Sequence, residues 1–384
     1  MNRITTIDVT RGLVMVIMAL DHVRDLLHTP ALTQNPTDLA TTTPAIFLTR
    51  WITHLCAPTF VFLSGVSAYL SLQKRNSPEA RRFLLKRGLV LIVLELTVIN
   101  FAFWFDIQFR SLMLQVIFAI GGGLMVLSLL AKLSVRWIAG IGFGIVLLHN
   151  LLPFAPFANP VGSFVWSLLF RTNVFVVSPE LTVLVGYPLV PWLGIMLLGF
   201  AAGRLFEQPI TSRRRLLWQL GLGALAVFLV LRLLNLYGDP APWSVQKSGL
   251  LTVLSFLNVS KYPPSLLYTA VTIGLALLIL AAADGADNGL TRLLRVYGQV
   301  PMFYYLIHWY LVHLSMLAMS FAQGYSWADV PSGPLNFGRP EGAGISLGGV
   351  YGVWLALVAV LYPLCRWYGR YKAAHPEVTW LRYL

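Results

Sequence analysis

The sequence predicts an all-α, polytopic integral membrane protein of about ten transmembrane helices, with both termini in the cytoplasm. Three observations predict it. Of the 384 residues, 57% are hydrophobic and only 11% are charged, and mean hydropathy is +0.72. Soluble chains carry roughly 25% charged residues. Apolar stretches of about twenty residues, the length that crosses a bilayer, recur along the whole chain. Lys and Arg gather in every second loop, the pattern of cytoplasmic loops.

The predicted spans lie near 8–28, 52–73, 85–105, 111–131, 137–154, 184–205, 215–236, 264–283, 299–320 and 347–367. The second loop carries Lys74, Arg75, Arg81, Arg82, Lys86 and Arg87, and the fourth Lys132 and Arg136. The sixth carries Arg204 and Arg213 to Arg215, the eighth Arg292 and Arg295, and the tail Arg366, Arg370, Lys372 and Arg382. The alternate loops are long, rich in Thr, Pro, Gly and Trp, and poorer in cations. One of them contains the apolar run Ser163–Phe170, which reads as a short interfacial helix. There is no soluble insert, low-complexity tract or internal repeat, so residues 1–384 read as a single domain. The net charge of +13 follows from the topology rule, and no nucleic-acid partner is expected.

The first span, IDVTRGLVMVIMALDHVRDLLH, is the most informative. Charges interrupt its apolar core and no small-residue cleavage site follows, so it is expected to be a membrane helix rather than a cleaved leader. Ionisable side chains at membrane depth usually face a protein interior or a water-filled cavity. At helical pitch Arg11 and His22 lie within about 20° of each other and about 16 Å apart along the axis. Asp8, Met15, Met18 and Asp25 fall on the same stripe. His22 is the leading candidate general base, since an imidazole takes a proton from an amine or hydroxyl near neutral pH. Asp21 and Asp25 are close enough to orient it. Arg11 suits a phosphate or carboxylate, or an ion pair with Asp8.

Later spans add His54 in WITHLCAPTFVFLSGVSAYLS, placed to face His22, and His308 in GQVPMFYYLIHWYLVH, among aromatic residues. His28 lies at the far aqueous end of the first span. Glu95 is a carboxylate inside the third span and needs a partner. Lys261, in KYPPSLLY, is a cation for an anionic acceptor or a lipid headgroup. The cluster Arg81, Arg82, Lys86 and Arg87, with Arg213 to Arg215, either serves the topology rule or holds a polyanionic cofactor. Two cysteines, Cys56 and Cys365, sit toward opposite leaflets, and nothing resembles a zinc ligand cluster. No Walker loop, dinucleotide glycine motif, GxSxG or HExxH is present, which disfavours ATP-driven transport, nicotinamide chemistry and elbow hydrolases.

These residues resemble a known family. Arg11-x10-His22 is similar to the Arg-x10-His motif of membrane acyltransferases of the acyltransferase-3 type. IDVTRGLVMVIMALDH, APTFVFLSG, YPLVPWLGIMLLGFAAG, FLNVSKYPPSLLY, GQVPMFYYLIHWYLVH and YPLCRWYGRYKAAHP resemble bacterial proteins related to the catalytic domain of heparan-alpha-glucosaminide N-acetyltransferase. The resemblance implies a bacterial inner-membrane enzyme that moves an acetyl group from cytoplasmic acetyl-CoA to an extracytoplasmic sugar amine or hydroxyl, free or lipid-linked. On that reading the donor is expected at Arg11, Arg81, Arg82, Lys86 and Arg87, the base at His22, and His54 or His308 as donor to the oxyanion. In the heparan enzyme the position matching His22 is an asparagine and the histidine comes later, so His28 and His54 stay open as the base. A homodimer is a further expectation. The rival reading is a proton-coupled transporter of a small or lipid-linked solute, which also needs intramembrane histidines and aspartates.

Overall fold

The computed structural model describes residues 4–73, 77–152, 154 and 156–382. Lys74 and Arg75 lie outside them. Helix α1, Thr5–Leu27, is enclosed by its neighbours. The following chain forms α2, Pro44–Ile52, and α3, Cys56–Leu72. A tighter helical turn, Thr53–Leu55, joins the two helices at His54. Helix α4, Ser77–Leu94, runs through a wide π turn, Glu95–Ile99, into α5, Asn100–Trp104. Then come strand β1, Ser111–Leu114, and helices α6, Val116–Leu130, α7, Val135–Leu148, and α8, Pro160–Phe170. Strands β2, Asn173–Ser178, and β3, Leu181–Val185, precede α9, Leu189–Ala202, and α10, Ile210–Leu234. The last third holds α11, Gly249–Leu257, α12, Leu266–Ala283, α13, Gly289–Gly298, α14, Pro301–Ala322, and α15, Leu347–Ala374.

Among the described residues six helices are long and apolar enough to cross a membrane: Pro44–Leu72, Leu189–Glu207, Ile210–Leu234, Leu266–Ala283, Pro301–Ala322 and Leu347–Ala374. A helix occupies each of the other four predicted regions too. There the charges of α1 and α4, and the 15- and 14-residue lengths of α6 and α7, fall short of that standard. The expectation of an all-α chain needs one correction. A three-stranded sheet, in the order β1-β3-β2, pairs β1 parallel to β3 and β3 antiparallel to β2. The span expected from residue 111 therefore begins as a strand, and its helix starts at Val116. The β-branched runs NVFVVS and LTVLV favour the pleated form. Asn100 pins β1, accepting from Met113 N at 2.7 Å and donating to Met113 O at 3.1 Å. The short helix expected near Ser163–Phe170 is α8.

Two glycine crossings set how closely the helices approach. A Cβ on Gly298 of α13 would stand 1.8 Å from the Asp8 carbonyl of α1, and one on Gly12 would stand 1.9 Å from the Leu294 carbonyl. Helices α3 and α9 meet in the same way, Gly65 on the Met196 carbonyl and Gly199 on the Phe62 carbonyl, each at 2.0 Å. Small residues allow such backbone contact. Of the most apolar 18-residue stretch of each helix, 72% is buried inside the protein for α12 but 17% for α15, so α12 is central and α15 peripheral.

Guanidinium clamps hold the segments around α1. Arg339 donates to the carbonyls of Leu26, His28 and Thr29 at 3.0, 2.7 and 3.0 Å. It thereby holds the carbonyls at and just beyond the C-terminal end of α1, where the His28 carbonyl also accepts from Ala31 N at 3.0 Å. Ile345 also pairs in parallel with His28. Arg232, at the end of α10, donates to the carbonyls of Ala241, Ser255, Phe256 and Asn258. Asp239 accepts from Ser260 N and Oγ and from Ser265 Oγ at 2.8, 2.9 and 2.6 Å. Together these two residues fix the segment that carries Lys261.

Candidate functional site

Three cavities follow one another along α1. The first holds about 1010 Å³ of space, its mouth included, and is lined by Arg11, Met15, Ser64, Ser67, Ser71 and Arg87 among others. The second, about 370 Å³, is lined by Met18, Asp21, His22, Cys56, Gln115, Tyr187 and Lys261. The third, about 890 Å³, is lined by Arg24, Asp25, Arg50, His54, Ser260 and Lys261. Phe60, Val116 and Tyr305 line both the first and the second. Lys261 lines both the second and the third. From Arg11 to Arg24 the rise along α1 is about 20 Å.

At the centre His22 Nδ1 lies 2.6 Å from His308 Nε2, and His308 Nδ1 lies 3.1 Å from the Tyr304 carbonyl. A carbonyl only accepts, so His308 carries its proton on Nδ1 and presents Nε2 as an acceptor. His22 must then donate from Nδ1, which leaves its Nε2 as the basic nitrogen. The His22 ring stacks on Trp309 with centroids 3.9 Å apart, and Trp309 packs on Phe103 at 4.6 Å. The imidazole is therefore held both by its edge and by its face.

The carboxylates expected to orient His22 are engaged elsewhere. Asp21 pairs with Arg24 at 2.9 Å and with Arg50 at 2.5 Å, and Asp25 pairs with Arg24. Charge-assisted pairing with guanidinium is stronger than a bond to a neutral ring, so His308 takes the orienting position instead. The expectation that His54 faces His22 is likewise corrected. His54 lines the third cavity, not the second. It packs edge-on against Tyr268 at 5.4 Å, and its carbonyl accepts from the Tyr268 hydroxyl at 2.9 Å. His28 caps α1 and lines a smaller space beside Arg24 and Asp25. Both nitrogens of His308 are in use, so it has no proton to spare for an oxyanion.

Arg11 donates to Ser67 Oγ at 3.1 Å and to the Gly298 carbonyl at 3.4 Å, with Asp8 3.6 Å away. Of the cationic cluster on α4, Arg87 lines the first cavity, whereas Arg82 and Lys86 are exposed and Arg81 is half-buried. Arg213 takes no part, because it forms a bidentate pair with Asp284 at 2.7 and 2.6 Å. Glu95 finds its partner in the backbone N–H of Gln115 at 2.6 Å, while its Oε2 has none among the described residues. Lys261 rests against the rings of Tyr262 and Tyr187, 5.0 and 6.0 Å from their centroids.

Four residues of the site escape a reading of the sequence alone: Arg50, Gln115, Tyr187 and Tyr305. Arg50, one turn before His54, carried a signal as a cation beside an apolar span. The other three resemble ordinary interfacial residues until the cavities are traced. A family model described as heparan-alpha-glucosaminide N-acetyltransferase, catalytic, matches residues 3–234. That stretch covers α1 to α10, with Arg11 and His22, and stops short of Lys261 and His308. No curated protein is found to match the chain.

Proposed function

The chain belongs to the heparan-alpha-glucosaminide N-acetyltransferase catalytic-domain family, and we propose that it transfers an acetyl group across a bacterial inner membrane. The donor is acetyl-CoA from the cytoplasm and the acceptor is an extracytoplasmic amine or hydroxyl, as on a sugar. The reading takes α1, α3, α4 with α5, α6, α7, α9, α10, α12, α14 and α15 as spans, with both termini cytoplasmic, as the loop cations favour. The observation that carries it is the run of three cavities along α1, with His22 in the middle one.

The first cavity suits the donor chemically. Arg11 and Arg87 supply positive charge for phosphates. Ser64, Ser67 and Ser71 share its lining with Met15, Leu84 and Leu91, a mixture that suits an arm of amides and methylenes. The thioester would meet the acceptor beyond Phe60, Val116 and Tyr305. Of these three shared residues only Tyr305 has a polar side chain, and its buried hydroxyl has no partner among the described residues. We assign it the role of donor to the carbonyl oxygen as negative charge develops there.

His22 Nε2 removes the proton from the acceptor while the acceptor's nitrogen or oxygen bonds to the acetyl carbon. The carbon–sulfur bond then breaks. The proton passes from the imidazolium to the departing thiolate, so free CoA and acetylated acceptor are formed and His22 is neutral again. His308 keeps the tautomer and, with Trp309, the ring position. Direct transfer needs no acetyl-histidine.

The test is acetyl-CoA binding to the purified protein in detergent, by calorimetry, for wild type, Arg87→Ala and His22→Ala. The expected result is micromolar binding that Arg87→Ala weakens and His22→Ala largely keeps. A folded wild-type protein that binds neither acetyl-CoA, longer acyl-CoAs nor free CoA would overturn the proposal and favour a transporter.

A further inference from the structure

The third cavity is built around cations that outnumber their carboxylates. Arg24 and Arg50 share Asp21, and Arg24 also holds Asp25. Lys261 has no carboxylate within ion-pair distance among the described residues; its neighbours are the rings of Tyr187 and Tyr262 and the neutral Tyr262 hydroxyl, which offers no counter-charge. It is only 9% exposed. Two further side-chain nitrogens are stranded beside it. Arg24, 2% exposed, has an Nη1 without a hydrogen-bond partner among the described residues. The Nδ1 of His54, 5% exposed, also has none, and it is a donor in the tautomer that carries the proton there. All three residues line this one cavity. Burying a cation away from any carboxylate, beside two side-chain nitrogens without partners, is unfavourable unless an anion comes to them.

The positions are held, not incidental. Arg232 donates to the Asn258 carbonyl at 2.5 Å, Asn258 Nδ2 donates to the Thr37 carbonyl at 3.2 Å, and Asp239 ties down Ser260. Lys261 therefore projects from a braced segment, at the boundary between this cavity and that of His22.

We infer that the third cavity is an oxyanion subsite: the acceptor carries a phosphate or carboxylate that lies against Lys261, Arg24 and His54. Its amine or hydroxyl then enters the second cavity beside His22. The word acceptor rests on the acetyl-transfer reading. The anion subsite does not, because it can be measured without turnover.

The experiment uses the full chain in nanodiscs of zwitterionic phosphatidylcholine, so that no lipid anion competes. Binding of glucosamine, glucosamine 1-phosphate and muramic acid is measured by calorimetry for wild type, Lys261→Gln and Lys261→Arg, with acetyl-CoA as a parallel ligand. At least one anionic sugar should bind tenfold or more tightly than glucosamine. Lys261→Gln should erase that preference and Lys261→Arg should keep most of it. Preference for the phosphate sugar alone, or for the carboxylate sugar alone, identifies which oxyanion the site takes. Equal binding of all three sugars, no binding of any, or a preference that survives Lys261→Gln overturns the inference. If acetyl-CoA fails to bind while the anion preference appears, the acetyl-transfer reading falls and the subsite stands.

Discussion

His22 and His308 are 286 residues apart, and the direction of the proton chain from His22 to the Tyr304 carbonyl distinguishes their roles. Of the two, only His22 retains a nitrogen without a hydrogen-bond partner among the described residues, so replacing each residue should have a different signature. His22→Ala removes the base and should lower turnover by about 10²–10⁴-fold with little change in donor affinity. His308→Gln keeps an acceptor near His22 and should retain more activity than His308→Ala, in which the ring of His22 is free to turn. Acetyl transfer assayed as CoA release checks both; equal losses for the two His308 variants would remove the orienting role. Tyr305→Phe should lower kcat by about 10²-fold while leaving acetyl-CoA binding intact, the pattern of a group acting on the transition state. The sequence marks His22 and His308 as polar residues in apolar helices but says nothing of their contact. Asp21 and Asp25 look like its partners because they are near in the chain, yet guanidiniums compete for both, and one of these, Arg50, comes from another helix.

At the scale of elements, the helices are legible because apolar length and loop charge are local properties, whereas the sheet is not. Strand β1 was hidden in an apolar run that continues directly into α6, and it pairs with β3, some seventy residues on. The close helix crossings are half-legible: Gly65 advertises close approach, but its partner on α9 is a matter of tertiary placement. Those crossings allow a firm prediction. Gly298→Ala would press a Cβ against the Asp8 carbonyl, a backbone atom that cannot swing aside, and should cost about 3 kcal/mol or more. The thermal midpoint of the detergent-solubilised protein checks this, with Gly140→Ala as the control because a Cβ there meets nothing within 4 Å. Arg339→Leu should also destabilise, by about 2 kcal/mol, since it strands the Leu26 and Thr29 carbonyls around the end of α1 while His28 keeps its bond from Ala31 N. Limited proteolysis of the segment 323–346 should reveal that end loosening first.

Across the whole molecule, the cavities matter as a series rather than singly. The first has cations and serines among apolar walls, the second a base, and the third a surplus of cations, and each adjoins the next through shared side chains. If donor and acceptor enter from opposite ends, the reaction has a direction that no single site shows. In proteoliposomes with one orientation, acetyl-CoA supplied on the side of the Arg87 cluster should release CoA on that side. The acetylated acceptor should appear only in the opposite compartment. A bulky substitution at the junction, Val116→Trp, should leave donor binding in the first cavity and abolish transfer, because the thioester would no longer reach His22. Acetyl-CoA and acceptor reacting from the same compartment would mean that the cavities do not form a through-path. The six long apolar helices would then enclose a one-sided site. The opposite result would explain why a polar stripe persists along α1: His22 has to be reached from Arg11 on one side and Lys261 on the other.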